Sequence, residues 1–166
     1  MTAIAADVEL QKAVFSVLVG DAQVSAALGR IEIDGAPQVA LFDLVPQEVI
    51  GAFQAGQGIT YAAFGESEFA VTPFDSDGDD PDEEEPEENE HILYVRVYSQ
   101  AVGLIEVKGI VGLMHDAIKA AWKAGRIELP HYQVKLLDPQ GGKFGRLDDG
   151  FTGTGTLTLR ALISPK

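Results

Sequence analysis

The clearest hydrophobic pattern of the chain lies between residues 91 and 125. Its first nine residues alternate between an aliphatic set and a polar or aromatic set, namely Leu93, Val95 and Val97 against Tyr94, Arg96 and Tyr98. A period of two is typical of a strand with one buried face. The alternation therefore predicts a strand over residues 91–99 whose aliphatic face points into a core.

The pattern then changes to apolar residues spaced three and four positions apart, which predicts a helix over residues 104–124. Its apolar stripe consists of Val107, Ile110, Val111, Met114, Ala117, Ile118, Ala121 and Trp122. Gly125 stands where a left-handed helix cap is needed. We expect this stripe to pack on the aliphatic face of the preceding strand.

Shorter patterns precede this unit. In chain order they predict a helix over residues 7–19 with Asp7 as its N-cap, a short helix over 21–28, strands over 30–33 and, less regularly, 39–45, a helical turn beginning at Pro46, and a strand over 59–64. After the central helix, strands are predicted over 131–137 and 154–163, with a turn at 138–142 and a polar loop over 143–150.

The last two strands also alternate. Tyr132, Val134 and Leu136 are predicted to point inward from the first, and Leu157, Leu159, Ala161 and Ile163 from the second. The connections between strands are short and resemble hairpins. Together the elements predict an α+β fold, with a largely antiparallel sheet and helices packed on one face.

Charge is concentrated in one segment. The 166 residues carry a formal net charge of −14, and 11 acidic residues but no basic ones lie between Asp75 and Glu90. The other 15 acidic and 12 basic residues give a net charge of only −3. Like-charge repulsion and the lack of apolar side chains predict a flexible acidic loop over 75–90 within a single domain spanning 1–166.

This distribution has no basic footprint for nucleic acid. The chain also has no apolar run long enough to span a membrane. We therefore expect neither stable DNA binding nor a membrane partner.

The acidic segment resembles a calcium loop only in part. Asp75, Asp77 and Asp79 occupy the first, third and fifth positions of an EF-hand loop. Asp80 replaces the glycine of the sharp turn, and Pro86 replaces the bidentate glutamate. A solvated loop, or loose condensation of cations, is the better interpretation.

Other candidate motifs also fail. Gly142 and Lys143 resemble the end of a phosphate loop, but Phe144 follows instead of Ser or Thr. There is no cysteine, and His91, His115 and His131 lack metal-ligand spacing. We expect no catalytic residue, no metal and no cofactor, and hence no enzyme.

One surface is a candidate for binding. The polar side of the predicted sheet carries Tyr94, Arg96, Tyr98, Gln133, Lys135, Thr158 and Arg160. Tyr and Arg are enriched at protein interfaces, although an ordinary solvated face is an equally good interpretation. Gly109 and Gly112 lie in the middle of the predicted helix, where each costs roughly 1 kcal/mol relative to Ala. Close approach of another backbone, within the subunit or between subunits, would account for them.

The order of segments resembles a known family. The leading helices end in Leu28-Gly29-Arg30-Ile31, and a strand leads into Phe64-Gly65-Glu66-Ser67 and a charged loop. The strand 91–99, the glycine-containing helix with Leu113-Met114-His115-Asp116-Ala117, and the final pair with Leu137-Asp138 and residues 156–161 follow. In this order the chain resembles the tail-terminator or tail-completion proteins of long-tailed phages and gene transfer agents. Residues 36–58 and the acidic run are longer than their counterparts in that family.

The resemblance implies a four-stranded, mainly antiparallel sheet and a structural role without catalysis. It implies a ring, usually a hexamer, that terminates the tail tube at its head-proximal end and joins it to the head connector or stopper protein. DNA would pass through the ring in transit, and the particle would assemble in the host cytoplasm.

In such a ring, two residue sets are candidate sites. The acidic loop could line the channel or lie exposed on the outside, through Asp79, Asp80, Asp82, Glu83, Glu84 and Glu85. Contacts to other subunits or to the tail tube could use Tyr94, Arg96, Tyr98, Lys135, Thr158 and Arg160. The alternative function is a monomeric binding module whose acidic loop engages a basic partner or cations.

Overall fold

The structure is a computed structural model that describes residues 3–71 and 88–166. Its helices are α1 (Ala3–Gly20), α2 (Ala22–Ala27), α3 (Gln47–Gln54) and α4 (Ile105–Lys123). Its strands are β1 (Arg30–Ile33), β2 (Ala36–Val39), β3 (Leu41–Phe42), β4 (Tyr61–Phe64), β5 (Glu68–Val71), β6 (Asn89–Ser99), β7 (Tyr132–Arg146) and β8 (Gly153–Pro165).

The main sheet has the strand order β3-β4-β6-β8-β7, and β5 pairs with β6 beyond the end of β4. All of its pairs are antiparallel except β3 with β4. The predicted α+β class and the mainly antiparallel sheet are therefore correct, but the prediction of four strands is wrong. The strand predicted over residues 39–45 contains β3, whereas β5 was not predicted because four residues contain too few alternations to be recognised.

The principal core lies between the sheet and the helices α1, α2 and α4. Fully buried Leu93, Val95 and Val97 of β6 face this side, as do Leu157 and Leu159 of β8. The stripe of α4 packs against them, as predicted, with Met114 and Ile118 fully buried. Trp122, at the end of the stripe, is only half-buried.

The helices do not all lie on one face, and this part of the prediction is wrong. Val49 and Phe53 of α3 form a second core with Phe42 and Tyr61, to which Tyr98 also packs. In β4, Ala62 and Phe64 belong to the principal core, so Tyr61 points to the opposite face. Large aromatic side chains at this edge of the sheet need a cover, and α3 provides it.

The strand β7 runs through the predicted turn at 138–142. Pro139 lacks an N–H donor, but it is tolerated because β7 is an edge strand. Shifts in strand register lie between Val134 and Leu136 and between Gln140 and Lys143. The first shift reverses the alternation, so that Leu137 is buried and Leu136, predicted to be inward, is 38% exposed.

Two further boundaries differ from prediction. Glu90, placed in the acidic loop from sequence, belongs to β6, where it pairs with Leu162. Asp7 is not an N-cap, because α1 begins four residues earlier. Asp21 caps α2 instead, accepting hydrogen bonds from the backbone N–H groups of Gln23 and Val24 at 2.9 and 3.0 Å.

Candidate functional site

The outer face of the sheet, opposite α1 and α4, brings most of the predicted interface residues together. Strand pairing sets Tyr94 of β6 directly opposite Thr158 of β8. Arg96 lies opposite Thr156, and Arg160 lies opposite Ile92. Because side chains alternate along each strand, these residues point to the same face as Tyr94 and Thr158. Arg96 is exposed, and Tyr94, Thr158 and Arg160 are half-buried.

Two of the predicted residues are already engaged within the chain. The guanidinium of Arg160 forms an ion pair with Glu90. The ring of Tyr98 stacks on Tyr61 with centroids 4.8 Å apart and an interplanar angle of 19°. Burial raises the pKa of the Tyr61 hydroxyl, and Tyr98 raises it further. Tyr98 is thus chiefly part of the second core.

Lys135 does not sit in register with the others. It is the extra residue at the first bulge of β7, between Val134 and Leu136, which pair with consecutive residues of β8. Its side chain is exposed. The four residues left as candidates for contact with another protein are Tyr94, Arg96, Thr158 and Lys135.

The helix α4 presents its two glycines outward. Both are exposed, and a Cβ atom added at Gly109 or Gly112 would meet no atom of the described residues within 4 Å. Packing against the rest of the described chain therefore does not explain them. Contact between subunits stays a prediction.

The hairpin tip, residues 147–152 between β7 and β8, was not recognised in the sequence as a candidate site. Phe151 at the tip is 77% exposed and Leu147 is 45% exposed. Together with Ile50 and Phe53 of α3, they line an open groove of about 650 Å³. A lone aromatic residue at the end of a polar loop was the only sequence signal.

A second unrecognised surface lies on the solvent side of α1. An open hollow of about 500 Å³, here named the α1 hollow, is lined by Val8, Gln11, Lys12, Phe15, Ser16 and Asp43. Val8 is 45% exposed and Phe15 is 36% exposed, so apolar surface remains uncovered. The signal in the sequence was that Val8 and Phe15 lie off the buried stripe of Leu10, Val14 and Leu18.

The predicted acidic site, Asp79, Asp80, Asp82, Glu83, Glu84 and Glu85, lies outside the described residues. So does the partial calcium motif that begins at Asp75. Within 3–71 and 88–166, no three His, Asp or Glu side chains are grouped so as to hold a metal ion. In the same two ranges, no helix has the length and apolar character required to cross a membrane.

Comparison with known proteins gives a match at the level of fold. No family model matches the sequence, and no curated protein matches it. Among solved structures, the chain is similar to one from the "Virion of native gene transfer agent (GTA) particle". The TM-score is 0.69 at 21% sequence identity, with 99% of each chain covered. The protein therefore shares its entire fold with a component of a gene transfer agent particle.

Proposed function

We propose that this protein is a structural component of a tailed phage or phage-like particle. In this proposal it forms a ring, a hexamer by the family resemblance, that terminates the tail tube at its head-proximal end. The ring joins the tail to the head connector or stopper protein and leaves a channel for DNA. It acts by assembly in the particle and carries out no catalytic step.

The observation that carries the proposal is the fold match over the full length of both chains. At a TM-score of 0.69, elements correspond from end to end with a chain whose structure was solved within a gene transfer agent particle. The order of segments in the sequence supports the same family independently. A match of isolated motifs would carry much less weight, because one fold can serve several functions.

The test is assembly in vitro. The purified chain is examined by light scattering and by negative-stain microscopy, alone and with tail tubes. We expect closed rings, and rings bound at one end of the tubes. A chain that is monomeric alone and does not bind tube ends would contradict the proposal and would favour the alternative, a monomeric module that binds a basic partner.

The outer face supplies a finer test of partner contacts. Replacing Tyr94 or Arg96 with Ala is expected to weaken either subunit assembly or binding to tubes, because aromatic and Arg side chains contribute most to interfaces. Gln23→Ala, an exposed change on α2 at the other side of the sheet, is the matched control. Equal behaviour of all three variants would exclude the outer face as a contact.

For the acidic segment we propose a channel role that follows from the ring. DNA would adhere to a basic wall through phosphate contacts, whereas carboxylates repel the passing polyanion. Candidates are Asp79, Asp80, Asp82, Glu83, Glu84 and Glu85. Changing all six to Asn or Gln should preserve rings and lower DNA delivery. Unchanged delivery would show that the segment serves the outer surface instead.

A further inference from the structure

We propose that the free edge of β1, together with α3, binds an extended segment of another protein as an added β-strand. The segment carries apolar side chains at alternate positions and Lys or Arg side chains between them. Such binding goes beyond the proposed function, because it identifies the chemistry of a partner and does not require that copies of the chain form a ring.

An open groove of about 500 Å³, here named the β1 groove, lies between β1 and α3. All four residues of β1 line it, whereas no residue of β2, which the structure describes completely, does so. Because successive side chains of a strand point to opposite faces, a surface lined by consecutive residues lies along the edge of the strand. The groove therefore follows the side of β1 that is turned away from β2.

The backbone of Glu32 is available on this edge. Asp34 and Gly35, with φ angles of 52° and 77°, form the two-residue turn that joins β1 to β2. The pair that closes such a turn exchanges hydrogen bonds, and non-hydrogen-bonded pairs alternate with hydrogen-bonded ones from there. Glu32, opposite Pro37, is therefore in a non-hydrogen-bonded pair, and its N–H and C=O groups point away from β2. In the described part of the chain, β1 pairs with β2 alone.

This edge differs from the outer edges of β2 and β7. Pro37 lacks the donor that β2 would present there, and Pro139 and two shifts of register interrupt β7. β1 contains no proline and no shift of register. The α1 hollow has a similar volume, but it is lined by side chains of α1 and by Asp43 and offers no strand edge. An unpaired edge supplies backbone hydrogen bonds to an extended peptide, and a groove beside it accepts alternate side chains.

The floor of the groove favours apolar side chains. Ile31 and Ile33 of β1 are half-buried, as is Ile59, and they pack against the second core. Val49 and Ala52 of α3 form the opposite wall. A strand added to β1 would direct every second side chain toward this floor and the others toward solvent. Apolar residues are therefore expected at alternate positions of the bound segment.

Charges along the groove favour a basic segment. Glu32, Asp34 and Glu48 line it with one cation, Arg30, so three negative charges and one positive charge leave a net charge of −2. Residues 75–90, with 11 acidic side chains and no basic one, would be repelled, and so would the same edge of a second copy. Lys or Arg between the apolar residues would lie on the same face as Glu32, where opposite charges on paired strands attract.

The test uses a short, fluorescently labelled peptide of alternating valine and lysine, and fluorescence anisotropy measures its binding to the full chain. Two further peptides carry N-methyl groups on the backbone nitrogens of every valine or of every lysine. All three have the same charge. Because alternate N–H groups of a strand point to opposite edges, only one of the methylated peptides loses the donors that face β1. That peptide should bind at least about tenfold more weakly than the other, since backbone hydrogen bonds supply the affinity of an added strand.

Variants of the chain test the same edge from the other side. Glu32→Pro removes the outward N–H group and leaves the bonds between β1 and β2 intact, because this pair exchanges none. Glu32→Gln is the matched control, since it removes the same charge and keeps the donor. Glu32→Pro should bind the unmethylated peptide at least about tenfold more weakly than Glu32→Gln does.

A second pair of variants tests the wall of the groove. Ala52→Tyr fills the groove from an exposed position of α3 and should also weaken binding. Gln54→Tyr is its control, on the same helix but outside the lining. Thermal unfolding checks that each variant is folded, and this pair decides if Glu32→Pro does not fold.

Several outcomes would overturn the contact. They are an unmodified chain that does not bind the peptide, methylated peptides that bind equally well, and equal affinities of the variants in each pair. Equal binding of the methylated peptides would mean that charge alone holds the probe, as the acidic segment could do. Self-association that Glu32→Pro abolishes would identify a second copy as the occupant and exclude the partner segment. Rings that form without peptide binding would leave the proposed function standing, and peptide binding by a chain that never assembles would do the reverse.

Discussion

The carboxylate of Asp7 lies 3.3 Å from Nδ1 of His91, and this pair joins α1 to the start of β6. His91 is completely buried, and the Asp7 carboxylate also accepts a hydrogen bond from the hydroxyl of Ser67. One side chain therefore connects the first helix to two strand ends. It does so at the point where the chain enters β6 from the acidic segment.

Asp7→Ala should reduce the free energy of unfolding by about 1–3 kcal/mol, because it removes a partner of the buried His91 ring. Chemical denaturation measures the loss. The control is Asp116→Ala, which breaks a His115–Asp116 contact of 2.9 Å between side chains that are 31% and 81% exposed. An exposed pair contributes little, so the control should change stability by less than about 1 kcal/mol. Equal losses would show that the Asp7 contact is not a buried connection.

Glu9, two residues after Asp7 in α1, makes stability depend on pH. Partial burial raises the pKa of Glu9, but hydrogen bonds from the His131 side chain and backbone, with the nearby charges of His131 and Lys166, outweigh it and leave the pKa lowered. The two hydrogen bonds measure 2.6 and 3.2 Å. A lowered pKa in the folded state stabilises the protein above the unfolded-state pKa, and this stabilisation is lost as the pH falls through the folded-state value.

Glu9→Gln should therefore be less stable than the unmodified chain at neutral pH, and the difference should shrink as the pH falls below the ordinary glutamate value of 4.5. Urea denaturation at a series of pH values measures it. A difference that stays constant down to about pH 3 would mean that Glu9 ionisation is not linked to folding.

The second bulge of β7 depends on one of two adjacent glycines. A Cβ atom at Gly142 would lie 2.8 Å from the Thr156 carbonyl oxygen, 2.9 Å from the Phe144 ring and 3.0 Å from Val111. At Gly141 the added atom would meet nothing within 4 Å in the described part of the chain. Gly142→Ala should cost about 1–3 kcal/mol by overpacking, and Gly141→Ala should cost much less. Thermal or chemical unfolding measures the stability of both variants. Equal stabilities would show that the bulge accommodates the extra methyl group at Gly142 without overpacking.

These glycines also show why part of the fold could not be predicted from sequence. Gly141 and Gly142 follow Pro139, a combination that indicates a turn by local rules. Whether the chain turns or bulges is decided by β8, whose residues from Gly153 to Pro165 offer a partner along the entire length of β7. Pairing between distant segments therefore overrides the local signal.

The same cause explains the errors in side-chain direction. β6 and β8 pair without a bulge, so their alternation could be predicted, and with it the face that Tyr94 and Thr158 share. In β7 the bulge at Lys135 reverses the alternation and exposes Leu136. For Tyr98, the alternation correctly predicts that the side chain points to the outer face of the sheet. It cannot show that α3 covers this side chain there. The candidate interface was thus predictable where strands are regular and not where distant elements intervene.

The exposed glycines of α4 give a last prediction, which links stability to assembly. Neither Gly109 nor Gly112 has a positive φ angle, so the backbone conformation does not require glycine there. Each weakens the helix by about 1 kcal/mol relative to Ala, and nothing in the described chain offsets this by close packing. A contact with a neighbouring subunit's backbone would offset it.

Gly109→Ala and Gly112→Ala should therefore each stabilise the isolated chain by about 0.5–1 kcal/mol in chemical denaturation. Light scattering should show weaker assembly for both, because a methyl group holds the partner backbone away from the helix. Gly51→Ala is the matched control: this glycine is also exposed, lies within α3, and has nothing within 4 Å of an added Cβ among the described residues. It should raise stability by a similar amount and leave assembly unchanged. If all three variants assemble equally well, the glycine face of α4 is solvent-exposed in the ring, and other surfaces hold the subunits together.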